Sequence, residues 1–108
     1  MTQAAQTLAI PTTWNLLHTS LAERRPVRAR YHQRLRVLCP HAIGWKNGRA
    51  KVLVLQTAVI DAASNNPVGW RSMFVDEIEH AALSDDTWRT ADNYTPHTTG
   101  IDTHSAAI

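Results

Sequence analysis

Residues 34–56 have the sequence RLRVLCPHAIGWKNGRAKVLVLQ and contain the strongest local signal for the fold of this chain. Two apolar runs flank the Asn-Gly dipeptide at 47–48, which readily adopts the positive φ angles of a tight type I′ hairpin turn. We therefore expect Ile43–Lys46 and Arg49–Gln56 to pair as the two arms of a β-hairpin. Val52–Leu55 is apolar at every position, which is typical of a strand that is buried on both faces.

The chain before the hairpin predicts one helix and two strands. The helix begins near residue 12 with a threonine cap, and its apolar side chains recur at helical spacing until Pro26 ends it. Val27–His32 alternates between apolar and basic residues, which predicts a half-buried strand with a basic outer face. In the next strand the apolar set is Leu35, Val37 and Cys39, and we expect Arg36 to point away from it.

The chain after the hairpin is less regular. Residues 57–69 predict a loop, and Trp70–Val75 and Glu77–Leu83 predict two further strands. The whole pattern predicts a mainly β domain over residues 12–90, with one N-terminal helix followed by about five short strands in a small, strongly bent sheet or barrel. Residues 1–11 predict a flexible N-terminus and residues 91–108 a disordered tail.

Charge is segregated along the chain. Residues 24–60 contain nine Lys or Arg residues and no carboxylate, whereas two Arg residues and eight carboxylates follow. A surface of one sign attracts partners of the opposite sign. The alternative is that the acidic half folds back and neutralises the basic half, and the sequence leaves both interpretations open.

Several classes of protein are disfavoured. There is no glycine-rich phosphate loop or Gly-x-Ser-x-Gly elbow, and one cysteine, Cys39, excludes an internal disulfide and a multi-cysteine zinc site. We expect a protein that is not an enzyme and has no metal or other cofactor. A single-strand nuclease using His32 or His41 is a formal alternative. No secretory signal or apolar run of about 20 residues occurs, which predicts a cytoplasmic protein without a membrane span.

The basic strands are the most suggestive feature. Arg28, Arg30 and Arg36 belong to a series with roughly two-residue spacing, near ~7 Å along an extended chain, which is close to the phosphate repeat of a nucleic acid strand. Tyr31 and Trp45 are candidates to stack on bases beside them. In the alternative interpretation the tyrosine packs in the core and the arginines solvate an outer face.

Four short motifs occur in an order that resembles the WYL domain. They are LAERRPVRARY at 21–31, RVLCP at 36–40, VLVLQ at 52–56 and RSMFVDEI at 71–78. The resemblance covers about residues 14–83. It implies a strongly curved, Sm-like or SH3-like β-barrel led by a helix. WYL domains are ligand-sensing modules of bacterial transcription regulators and of CRISPR and other anti-phage systems.

By motif match, the resemblance implies that Tyr31, Arg36 and Arg71 are pocket residues for single-stranded nucleic acid or a nucleotide-like phosphorylated ligand. For Arg71, the alternative is a salt bridge to Asp76 or Glu77. The leading prediction is therefore a sensor or accessory module with these ligands. The alternative is a protein-interaction or dimerisation module, because open barrels have edge strands that can pair with a partner protein or a second copy.

Overall fold

A computed structural model describes residues 2–60, 68–90 and 100–108 of the chain, with side-chain environments from residue 12 onward. The predicted class is confirmed, because the fold is mainly β with one N-terminal helix. The elements are α1 (Thr2–Glu23), β1 (Val27–Tyr31), β2 (Arg34–Lys46), β3 (Arg49–Val59), β4 (Gly69–Phe74), a 3₁₀ turn (Val75–Glu77), β5 (Ile78–Leu83) and β6 (Thr103–Ala107).

The described strands form one antiparallel sheet. Its order is β4-β3-β2-β1-β5, and β6 pairs with β2 beside this path. The sheet is not a closed barrel, since β4 and β5 end it and are not hydrogen-bonded to each other. The long β2 strand merges two predicted strands, and its pairing with β3 shifts register between Pro40 and Ala42. Proline has no N–H to donate, so an irregularity is expected there.

The predicted hairpin joins β2 to β3. Lys46 pairs with Arg49, and the turn residues Asn47 and Gly48 have φ angles of 49° and 81°. Two consecutive positive φ angles are the signature of a type I′ turn. The sequence signal at this turn therefore determined both the place of the hairpin and its register.

The main core lies between α1 and one face of the sheet. It contains apolar side chains of the helix, of five strands and of the 3₁₀ turn: Leu17, Leu21, Val27, Ala29, Tyr31, Leu38, Ile43, Val52, Val54, Met73, Val75 and Ile78. Across the described residues, no helix is both long enough and apolar enough to cross a membrane.

The predicted orientation of the first half of β2 was wrong. Leu38 pairs with Val27 and Arg36 pairs with Ala29, which places Arg36 on the core-facing side of the sheet. Cys39 is an odd number of residues from Arg36 and Leu38 and so lies on the opposite face of the strand, yet it is 0% exposed. Apolar alternation cannot identify the inward face of this strand because both of its faces are covered.

Two predicted boundaries also differ from the structure. The helix begins at Thr2 rather than near residue 12. Residues 103–107 form β6, so the prediction of a disordered tail was wrong there, while 91–99 lie outside the described residues.

A Cβ at Gly44 would overlap the carbonyl oxygen of Thr103, so glycine at this position allows β6 to approach β2.

Candidate ligand site

The acidic half of the chain folds back onto the basic half. Within the described residues, five basic side chains of the first half pair with carboxylates that follow residue 60: Arg25 with Asp85, Arg28 with Asp86, His32 with Glu77, Lys46 with Asp102, and Arg49 with Asp76 and Glu77. The alternative of internal pairing, which the sequence left open, is therefore realised at these positions.

Arg28 serves as a cross-link between β1 and the segment that follows β5. Its Nε and Nη2 donate to the two carboxylate oxygens of Asp86 at 2.8 and 3.0 Å. This hydrogen bonding, together with a shorter one from the Ser84 hydroxyl, lowers the pKa of Asp86 from 3.8 to about 2. Arg30 donates from Nη1 to the backbone carbonyl of Gln33 at 3.2 Å. Both arginines have the parity opposite to Val27, Ala29 and Tyr31, on the outer face of β1.

Arg49 forms a second cross-link at the start of β3. Its Nη2 lies 2.7 Å from Oδ1 of Asp76 and 3.1 Å from Oε2 of Glu77, and its guanidinium carbon lies 3.6 Å from the centre of the Phe74 ring. The pKa of Glu77 is lowered first by His32, whose Nε2 is 2.7 Å away, and then by Arg49. Asp76 and Glu77 thus bind Arg49, the first residue of β3.

Arg36 lies on the core-facing side at the other end of the sheet. Its Nε donates to the carbonyl of Tyr31 at 3.0 Å and its Nη1 donates to Oε1 of Gln56 at 2.9 Å. The guanidinium carbon is 5.5 Å from the centre of the Tyr31 ring. Both acceptors are neutral, so these contacts orient the guanidinium without neutralising its charge.

Arg71 approaches the same place from β4. In the pairing of β3 with β4, Val54 lies opposite Arg71, and Gln56 lies opposite Gly69. A Cβ at Gly69 would be 3.1 Å from Nη1 of Arg71, so the missing side chain provides space for the guanidinium on the Gln56 side. The same Nη1 donates to the carbonyl of Trp70 at 2.8 Å, which is again a neutral acceptor.

These four side chains lie along a diagonal on one face of the sheet. Arg71, Gln56, Arg36 and Tyr31 lie on β4, β3, β2 and β1, which are neighbours in that order, and strand parity places all four on one face. We call this set the ligand row. Gln56 is 0% exposed, whereas the two arginines that flank it are half-buried.

Tyr31 contributes support rather than a stacking surface. It is 8% exposed and belongs to the core, so the alternative of core packing is confirmed. Burial raises the pKa of its hydroxyl. The ring therefore stays neutral and packs beside Arg36, leaving little area for a base to cover.

The chemistry of the ligand row is that of anion recognition. Guanidinium groups present forks of N–H donors that match phosphate and carboxylate oxygens, and the amide of Gln56 can both donate and accept. The row has no carboxylate or imidazole that would act as a general base. Among the described residues, no group of three or more His, Cys, Asp or Glu side chains is placed to hold a metal ion.

The structure places Tyr31, Arg36 and Arg71 on one face of the sheet and the other predicted site residues elsewhere. Trp45 is nine positions along β2 from Arg36 (36 to 45), a path of about 30 Å at ~3.3 Å per residue. It is 43% exposed and stacks on Trp14 with ring centres 4.7 Å apart. Arg28 and Arg30 point away from the row.

Gln56 is the member of the row that sequence reasoning missed. It ends the apolar run at 52–56 and has the parity of Val52 and Val54, which face the core. A polar residue in a core-facing position must find a hydrogen-bond partner, and this was the available signal.

No protein-family model matches the chain, and no curated protein or solved structure is detectably similar to it.

Proposed function

We propose that this chain binds a small phosphorylated ligand of the nucleotide type at the ligand row, as a non-enzymatic sensor or accessory module. One observation carries the proposal: Arg36 and Arg71, on different strands, flank the buried Gln56 and are oriented by neutral acceptors. Two guanidinium forks on neighbouring parts of one sheet face present N–H donors that suit a terminal phosphate group. The resemblance to the WYL domain supports the same residues independently.

A small ligand fits the arrangement better than a nucleic acid strand. A strand needs cations spaced along one face, because its phosphates repeat along one direction. Arg28 and Arg30 are on the face of β1 opposite to the row, and Arg28 is bound to Asp86 in two hydrogen bonds. On the core-facing side, by contrast, Arg36 and Arg71 lie near the first residues of β2 and β4.

The test is a calorimetric titration of the full chain with a nucleoside monophosphate, inorganic phosphate and a short single-stranded oligonucleotide at low salt. We expect the monophosphate to bind and each of Arg36→Ala and Arg71→Ala to weaken it about tenfold or more, since a charge-assisted contact contributes about 1.5–3 kcal/mol. Arg28→Ala is the matched control and should leave the affinity unchanged.

Three outcomes would contradict this assignment. They are no binding of the monophosphate, an affinity that is independent of salt, and an equal loss in Arg28→Ala and Arg36→Ala. If only the oligonucleotide binds, with a steep salt dependence, the single-strand version of the function replaces the small-ligand version.

Dimerisation through an edge strand stays a prediction. Among the described strands, β4 and β5 end the sheet, and the pairing of β5 with β1 is irregular near His80, whose φ is 53°. An irregular edge discourages pairing with another chain. Light scattering that finds a strict monomer at micromolar concentrations would exclude the homodimer.

A further inference from the structure

A second polar arrangement lies outside the ligand row. The indole Nε1 of Trp88 donates to Oγ1 of Thr90 at 3.1 Å, and the same oxygen is 3.1 Å from Nε2 of His41. The other ring nitrogen of His41, Nδ1, is 2.7 Å from the carbonyl oxygen of Cys39. His41 is 0% exposed, whereas Thr90 is exposed.

The direction of each hydrogen bond follows from the groups involved. A carbonyl oxygen only accepts, so Nδ1 of His41 carries a proton. Burial lowers the pKa of His41 more than the hydrogen bond to the Cys39 carbonyl raises it, and the positive charge of Arg24 also lowers it, so the ring is neutral at pH 7 and Nε2 is an acceptor. The Thr90 hydroxyl therefore donates to Nε2, while the Trp88 N–H, which can only donate, points at the Thr90 oxygen.

We propose that Thr90 is a nucleophilic hydroxyl activated by His41 and that it accepts an acyl group from an activated ester. A nucleophile within hydrogen-bond reach of a base, with that base oriented by a third group, is the arrangement shared by activated serine and threonine nucleophiles. Here the third group is the carbonyl of Cys39. The Trp88 donor stabilises negative charge as it develops on Oγ1, and the exposure of Thr90 admits the reagent.

In the acylation step, Oγ1 of Thr90 forms a bond to the carbonyl carbon of the ester and its proton passes to Nε2 of His41. The leaving group departs with the electron pair of the ester C–O bond, and His41 then releases the proton to water. The hydrogen bond to the Cys39 carbonyl stabilises the imidazolium less than burial destabilises it. We therefore expect one acyl group per chain rather than rapid turnover.

The test is incubation of the full chain with p-nitrophenyl acetate, followed by peptide mapping by mass spectrometry. A positioned base contributes about 10²–10⁴ in rate. Thr90 should therefore acquire an acetyl group about 100-fold faster than Thr87, an exposed threonine three residues earlier that serves as an internal control. Equal rates at the two threonines in the natural sequence would overturn the proposal without any variant.

Two variants separate activation from a purely structural contact. Trp88→Phe keeps a ring against His41, where the two ring centres are 5.1 Å apart, and removes the N–H donor. It should slow the labelling of Thr90 severalfold. His41→Gln should reduce labelling to the level of Thr87, and circular dichroism checks that each variant is folded. Unchanged labelling in a folded His41→Gln variant would overturn the role of His41.

The pH profile adds an independent readout. The labelling rate should fall as pH drops through the lowered pKa of His41, below 6.5. Titratable or charged groups near the ring are Cys39 on its own strand, whose thiol pKa is raised by burial, Arg24 at the end of α1, and Asp86 and Arg89, which act on Cys39. The pKa of Asp86 is lowered to about 2 and that of the Cys39 thiol is raised, so an inflection between them is not produced by either group. None of these measurements involves the ligand row, so their failure would leave the proposed phosphate site untouched.

Discussion

The two ends of β3 place arginines in opposite circumstances. At its start, Arg49 is exposed and bound to the carboxylates of Asp76 and Glu77. Near its end, the buried amide of Gln56 accepts a hydrogen bond from Arg36 of β2 and lies opposite Gly69, beside Arg71 of β4. The stretch at 34–56, whose charged residues are all basic, thus contains both an arginine that cross-links two segments, Arg49, and a candidate ligand-binding arginine, Arg36. The two differ in the hydrogen-bond acceptors described above, which are carboxylates for Arg49 and neutral groups for Arg36.

The largest effect is expected at the neutral end. Gln56→Leu removes the acceptor of Arg36 Nη1 from a buried position, and hydrogen bonds to charged groups contribute about 1.5–3 kcal/mol. We expect the free energy of unfolding in urea to fall by about 2 kcal/mol, with little dependence on salt. A loss smaller than that of Arg49→Met would mean that the buried amide is not the stronger of the two contacts.

Arg28 and Asp86 extend the comparison to another carboxylate-bound arginine. Because the pKa of Asp86 is lowered from 3.8 to about 2, its pair with Arg28 stabilises the fold above pH 3.8, and this contribution is lost as pH falls through 2. That difference in pKa corresponds to at most about 2 kcal/mol, and solvent screening of this partly exposed pair reduces it to about 1 kcal/mol.

Acid unfolding of Asp86→Asn, measured by circular dichroism, checks this contribution. The variant should be less stable than the natural sequence at pH 5, and the gap should close as pH approaches 2. A gap that stays constant over this range would contradict the assignment, since an uncharged effect of the substitution does not titrate.

The smallest effect is expected at the charged end. Arg49→Met removes the ion pairs with Asp76 and Glu77 but retains an apolar side chain over Phe74. Exposed ion pairs contribute about 0.2–1 kcal/mol and are screened by salt. We expect the smallest loss of the three variants, and one that shrinks further in 1 M NaCl. A large loss that is insensitive to salt would mean that the Arg49 ion pairs stabilise the fold as strongly as the hydrogen bond between Arg36 and Gln56.

Local signals predicted several parts of the molecule well. The hairpin turn at 47–48 was predicted because two positive φ angles are a property of the residues themselves. The short motifs indicated Tyr31, Arg36 and Arg71, which the structure places on one face of the sheet. Gln56 was missed because its importance depends on neighbours from β2 and β4, which are separated from it in the sequence.

Errors arose where two faces or two distant segments compete. The orientation of β2 was misassigned because His41 and Cys39 are buried, like Leu38, although they lie outside the main apolar cluster. The strand β6 was missed because its sequence, THSAA, is short and mostly small or polar. Its pairing with β2 depends on the space that Gly44 leaves beside Thr103. These two residues are distant in the sequence, so no local pattern predicts their contact.

Local sequence signals were enough to predict the mainly β class, the N-terminal helix, the central hairpin and the arginines that the motifs singled out. These follow from φ preferences, periodicity and composition, which act over a few neighbouring residues. The pairing of Arg28 with Asp86 depends on the tertiary structure, because these residues are 58 positions apart and meet only when the chain folds. The same packing placed Gln56 between Arg36 and Arg71, since strand order in a sheet is a long-range property.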